Sequence, residues 1–145
     1  MEMIIKQINV KEEIYKILLT CIYDFFSKQI QEKQKLSVLA DKYSRNAVVL
    51  VAENNDDVLG FVSFYANDLT TNCAFISSIV IRKQYQGMGI GSQLLDHAEK
   101  YAKLNNMTSM TLEVDRMNLK AIKLYMKKGY AFVDEQTNMM KKQLI

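Results

Sequence analysis

Apolar positions along the chain follow two rhythms, one of three-to-four residues and one of short unbroken runs. Between Glu12 and Ser27, residues Ile14, Ile17, Leu18, Cys21, Ile22 and Phe25 recur at helical spacing, which predicts an amphipathic helix. Leu36, Leu39, Ala40 and Tyr43 share one stripe and predict a shorter helix over Leu36–Ser44. Met3–Ile8 reads as a short strand before them. Val48–Ala52 is a continuous apolar run, as in a buried strand. The polar turn Asn54-Asn55-Asp56-Asp57 joins it to a strand over Val58–Tyr65, which together predict a β-hairpin. A second polar turn, Asn67–Asn72, leads to a strand over Cys73–Ile81. Gly91–Asn105 predicts a helix that buries Leu94, Leu95, Ala98, Tyr101 and Ala102 and exposes Asp96, Glu99, Lys100 and Lys103. Asn105-Asn106 ends it. A strand over Met110–Val114 and a helix over Asn118–Lys128 follow, and Gly129 stops that helix as a left-handed terminal residue does. Tyr130–Asp134 and Met139–Leu144 close the chain as strands. The order β α α β β β α β α β β implies an α/β (α+β) fold, a mixed sheet with helices on its faces.

Composition narrows the function classes. A length of 145 residues fits one domain over 1–145, and 49% hydrophobic with 24% charged residues supplies a sizeable core. The net charge of +3 is too mild for a nucleic-acid binder, which concentrates basic residues on one face. The basic clusters Lys120–Lys128 and Lys141–Lys142 read as a solvated helix face and a polar chain end, and the first adds attraction for a phosphate-rich ligand. Cys21 and Cys73 lack metal-ligand spacing, and the one histidine, His97, sits at the edge of an apolar stripe; no metal is expected. The two cysteines suit buried thiols in a reducing compartment. Met1–Val10 carries Glu2 and Lys6 and no long apolar run, and no stretch approaches the ~20 apolar residues of a membrane span. The expectation is a cytoplasmic protein with no membrane partner.

The five glycines are unevenly spread, at 60, 87, 89, 91 and 129. Three lie in Gln86-Gly87-Met88-Gly89-Ile90-Gly91-Ser92, between the apolar strand Ile79-Val80-Ile81 and a helix. Glycine lets a backbone turn tightly and approach a ligand closely. The first helical N–H groups have no intrahelical partners, and the helix dipole adds positive character. The segment is therefore a main-chain cradle for phosphate or pyrophosphate. The P-loop requires Gly-Lys-Ser/Thr, and here Ser92 follows Gly91 directly. The dinucleotide fingerprint requires glycines at positions one, three and six, and position six from Gly87 is Ser92. Further on, Asn118, Ala121 and Tyr125 share a face of their helix, with a small residue between two polar ones.

Gln86-x-x-Gly89-x-Gly91, between that strand and the Leu94-Leu95 helix, resembles the Q/R-x-x-G-x-G/A loop of the GNAT acetyltransferases. Asn118-x-x-Ala121-x-x-x-Tyr125, followed by Gly129-Tyr130, resembles a second helix of that family, and the element order is similar along the whole chain. The resemblance implies a mixed, mostly antiparallel twisted sheet of six to seven strands, flanked by about four helices, with splayed central strands. It implies acetyl-CoA as co-substrate and transfer of acetyl to the amine of a small molecule or peptide. Gln86 to Ser92 would contact the pyrophosphate, and Ile79, Val80 and Ile81 the pantetheine arm. Asn118 and Ala121 would lie along the same arm, and Tyr125 beside the sulfur.

Several roles remain open on the residues alone. Asn118 serves equally as a helix N-cap. Tyr125 either packs under the sheet or donates a hydrogen bond to the leaving thiolate. Glu113 lies near the expected strand parting and is the candidate base, although alternation could place it on either face. Ser77 and Ser78 stand where family members with a glutamate base carry it. A backbone N–H of Ile81 or its neighbour could face the thioester carbonyl. The acceptor would be chosen largely by Phe25–Tyr43, with its Lys28, Gln29, Gln31, Glu32, Lys33, Gln34 and Lys35, and strands near the C-terminus leave room for a homodimer. A non-catalytic acyl-CoA-binding module, and a nucleotide-binding protein using the same loop, are the competing readings.

Overall fold

The computed structural model describes residues 2–28 and 32–145. Its elements are β1 (Ile4–Ile8), α1 (Lys11–Thr20), α2 (Lys33–Asn46), β2 (Val48–Asn54), β3 (Asp57–Tyr65), β4 (Cys73–Ile81), α3 (Ile90–Leu104), β5 (Ser109–Glu113), α4 (Leu119–Lys127), β6 (Ala131–Phe132) and β7 (Met139–Gln143). This is the expected order. Seven strands form one sheet in the order β1-β2-β3-β4-β5-β7-β6, with only β4 and β5 parallel among the described strands.

The sheet is covered on both faces, which is why β2 reads as an unbroken apolar run. Leu50 and Ala52 join Val62, Phe64 and the α3 residues Leu94, Leu95, Ala98 and Ala102 in one core. Val49 and Val51 point the other way and join Phe61 with Ile14, Leu18, Leu36, Ala40 and Tyr43 of α1 and α2. The β2–β3 hairpin turns on Asn55 and Asp56, at φ 49° and 67°, the left-handed pair that a two-residue turn requires.

The first helix departs from its expected span. It stops at Thr20, and a short 3-10 turn over Ile22–Asp24 carries the chain on. The helical spacing persists to Phe25 because Ile22 and Phe25 are buried in the same core, Phe25 with its ring 5.8 Å from Phe61. Burial imposed the spacing there without an α-helix. The sixth strand is also shorter than Tyr130–Asp134: Ala131 and Phe132 pair with β7, and one further bond, from the Val133 N–H to the Met139 carbonyl at 2.9 Å, ends the contact. No helix among the described residues is long and apolar enough to cross a membrane. Both cysteines are free thiols, Cys21 buried and Cys73 half-buried.

Gly60 of β3 lies opposite Ile81, and a Cβ placed there would sit 2.5 Å from the Val80 carbonyl oxygen. Gly60→Ala should therefore push β3 and β4 apart. A loss of about 1–3 kcal/mol in denaturant unfolding is expected; an unchanged midpoint would show that the strands yield freely.

Candidate active site

The site begins with a strand that changes phase. In β4, Ala74 and Ile76 point into the α3 core. Four residues beyond Ile76, strict alternation would send Val80 the same way, yet Val80 lies in the α1–α2 core while Ile79 and Ile81 pack toward α3. The inversion occurs at Ser77. Ser63 of β3 faces Ser78 and the next residue, Phe64, faces Ile76, so Ser77 is the extra residue of a β-bulge. Ser77 and Ser78 consequently face the same side of the sheet, and both hydroxyls reach Tyr43 of α2, at 2.7 and 3.1 Å.

Beyond the bulge β4 loses a neighbour. Its parallel ladder with β5 runs only from Cys73↔Ser109 to Ile76↔Leu112, and Glu113 pairs with Met139 of β7 instead. A cleft of about 550 Å³ opens there, lined on one wall by Ile76 to Val80 and on the other by Leu112 to Asp115, Asn118 and Tyr125. Phe25, Phe26, Ser27 and Lys28 line it as well. The Arg82 N–H bonds the Leu59 carbonyl across the β3 ladder at 2.9 Å. By the period of two, Val80 turns its backbone groups to β3, and Ile79 and Ile81 turn theirs to the open side.

The glycine loop follows. Tyr85 bonds Asp57, and the Arg82 guanidinium donates to the Val58 carbonyl at 2.9 Å, which fastens the loop to the hairpin. The Gln86 side-chain amide folds back onto the Ile81 carbonyl at 3.0 Å. Gly87 and Gly89 have φ of 81° and 79°, and an added Cβ would meet nothing within 4 Å at either. They are required by backbone conformation and leave open space beside the main chain, as close approach of a ligand needs. Gly89 caps α3 with no side-chain hydrogen bond, and the first intrahelical bond to it comes from the Gln93 N–H. The amides of Ile90, Gly91 and Ser92 are thus the donors a helix start leaves over. Met88 is exposed and Ile90 buried, so only the backbone of Ile90 can serve a ligand. At Gly91 the constraint is packing: a Cβ would be 3.1 Å from Leu124 Cδ2 and 3.8 Å from Ile81 Cγ1. The loop, the end of β4 and α4 therefore meet at one point.

On α4, Asn118 is the N-cap, its Oδ1 accepting the Ala121 N–H at 3.3 Å, and it also lines the cleft. Tyr125 is 5% exposed, and burial raises its phenol well above the usual range, so it stays protonated. Its hydroxyl has no hydrogen-bond partner among the described residues, although the ring lies 5.9 Å from that of Tyr130. Tyr130 donates to Glu99 Oε2 at 3.0 Å, and Lys142 donates to Glu99 Oε1 at 2.6 Å. Burial first, then the Glu99 charge, raises the Tyr130 phenol too. Glu113 is exposed and lines the cleft. The cleft therefore joins Ile79, Val80, Glu113, Asn118 and Tyr125, whereas Ile81, the loop from Gln86 to Ser92 and Ala121 stand outside its lining. His97 is exposed, with Nδ1 2.9 Å from the Gln93 carbonyl oxygen, and does not line the cleft. Gln29 and Gln31 lie outside the described residues.

Sequence reasoning missed Tyr43 and Asp115. The doubled serine within an apolar strand, with a shift of apolar phase across it, was the signal that could have exposed the bulge and its partner.

A family profile described as "Acetyltransferase (GNAT) family" matches residues 11–130. The Bacillus subtilis (strain 168) protein named "Uncharacterized N-acetyltransferase YhfO" is 28% identical over 90 residues, which span 60% of this chain and 60% of that relative. A PaiA N-acetyltransferase from Thermoplasma acidophilum, solved in complex with coenzyme A, superposes with a TM-score of 0.76 at 20% identity, covering 97% of this chain and 99% of that one. An N-acetyltransferase from Staphylococcus aureus Mu50 gives 0.77 at 20% identity over the full length of both. At these identities the structural likeness is one of fold.

Gly89→Ala should cost about 1–2 kcal/mol in stability from its left-handed backbone alone, with no packing term to add. The fall in thermal midpoint on substitution checks this; an unchanged midpoint would show that α3 can start from another conformation.

Proposed function

This chain belongs to the acetyltransferase (GNAT) family, and on that premise we propose that it transfers an acetyl group from acetyl-CoA to a primary amine in the β4–β5 cleft. The observation that carries the reading is the convergence at Gly91 of three features: the glycine loop, the edge of β4 without a strand neighbour, and the helix bearing Tyr125. Main-chain amides from Gln86 to Ser92 hold the pyrophosphate, where the positive end of α3 favours it. The backbone of Ile79 and Ile81 receives the pantetheine arm in place of the missing strand, with Val80 holding β4 down in the opposite core. Asn118 and Ala121 line the arm from α4.

Acetyl-CoA supplies an activated acyl carbon and a thiol leaving group. The free amine attacks that carbon directly, the C–N bond forms as the C–S bond breaks, and the sulfur departs with the electron pair. A free thiol has a pKa of ~8.5, so a phenol raised by burial does not give up its proton fully; it donates a hydrogen bond as charge collects on sulfur. The ammonium form of the acceptor, of pKa ~10.4 when unperturbed, must first lose a proton. Glu113, exposed at the cleft mouth, takes that proton through water. The acceptor enters from the α1–α2 side, past Phe25, Phe26 and Lys28.

Tyr125→Phe should lower kcat by about 10²-fold while the KM for acetyl-CoA stays within about three-fold; an unchanged kcat removes the donor role. Because Tyr125 remains protonated, kcat/KM in the wild type should rise with pH toward the amine pKa and show no descending limb below about pH 10. A fall between pH 8 and 9 that disappears in Tyr125→Phe would contradict this. Glu113→Gln should alter the acid side of the same profile, and an unaltered profile dismisses Glu113 as base.

A further inference from the structure

We propose that Tyr43 is a positioning residue, whose hydroxyl clamps Ser77 and Ser78 in the β4 bulge and so fixes the phase of the strand edge that receives the coenzyme arm. The inference rests on the acetyl-CoA reading above. It starts from the phase inversion: Ala74 and Ile76 face α3 before the bulge, Ile79 and Ile81 after it. A β-strand alternates with a period of two, so a one-residue slip sends each side chain to the opposite face and each backbone group to the opposite edge. If Ser77 re-entered the ladder, Ile79 would turn its backbone toward β3 and its side chain toward α1 and α2. The arm would then lose its partners.

A bulged residue has no ladder bonds of its own to hold it. Here the restraint comes from outside the sheet. Tyr43 is 1% exposed in the last turn of α2, with its ring packed edge-on at 6.4 Å from Tyr65. One hydroxyl reaches two consecutive residues of the same strand, which is possible only while both face α2. The geometry is therefore specific to the bulged register. No other side chain competes for the clamp: Ser63, opposite Ser78, and Tyr65 keep buried hydroxyls that bond nothing among the described residues. Across those residues, this is the hydrogen-bonded link between α2 and β4.

The test measures binding of two ligands to the folded protein. Coenzyme A probes loop and strand edge together; adenosine 3′-phosphate 5′-diphosphate, which lacks the pantetheine arm, probes the loop alone. Tyr43→Phe should raise the Kd for coenzyme A about five-fold, the scale of one hydrogen bond, and leave the Kd for the arm-less nucleotide unchanged. Ser78→Ala, at the other end of the clamp, should act the same way, and the Tyr43→Phe/Ser78→Ala pair should be no weaker than the worse single variant. Unchanged coenzyme A affinity in both single variants overturns the clamp, as does equal weakening of both ligands, the mark of a general structural loss. A folded wild type that binds no coenzyme A overturns the parent reading, and the clamp with it.

Discussion

A strand that loses its neighbour halfway along leaves main-chain donors and acceptors facing open space, and buried backbone groups of that kind are rarely tolerated without a partner. In this chain β4 is such a strand. Up to Ile76 its edge is satisfied by β5; beyond Ile76 the edge faces a cleft. Everything needed to keep that edge open is supplied from elsewhere. β3 holds the other side through a ladder that closes tightly at Gly60. α2 reaches across with Tyr43 to fix the bulge. β7 pairs with β5 along its whole length, Glu113 included, and so holds its far edge where β4 no longer does.

The same parting explains the division of labour between the faces. On one face α3 and α4 meet the end of β4 at Gly91, which concentrates a helix N-terminus and a buried phenol near the unpaired backbone. On the other, the segment from Phe25 to Lys28 lines the opening, and Tyr43 of α2 bonds the two serines of the bulge. A ligand lying through the parting would be touched from both faces without any strand having to move. The Glu99–Tyr130–Lys142 group braces the first face from behind, with Tyr130 set against Tyr125.

Much of this is legible in the amino-acid sequence. The glycine run, the apolar stripe of α3 and the Asn118–Ala121–Tyr125 spacing are local patterns, and local patterns report local geometry: Gly87 and Gly89 are left-handed and Asn118 is the cap. Glu99, expected on the exposed side of α3, is instead buried where Tyr130 and Lys142 bond it. Glu113 was ambiguous because alternation alone cannot say which neighbour a strand keeps. The end of α1 is not legible because Ile22 and Phe25 are buried at α-helical spacing while the chain runs through a 3-10 turn and an extended residue. Tyr43 was read as one apolar stripe residue among four, which it is; its second role depends on Ser77 and Ser78, 34 and 35 residues away, and on a bulge that only pairing reveals. Long-range polar contacts leave no periodic trace.

The proposed function requires main-chain amides at the start of α3 to grip a diphosphate. Titrating the ¹⁵N-labelled protein with coenzyme A and following each amide resonance tests it directly. The largest shifts are expected at Gly87, Gly89, Ile90, Gly91 and Ser92, with a second set at Ile79 and Ile81. Saturable shifts confined to other surfaces, or none at these amides at millimolar coenzyme A, would contradict it.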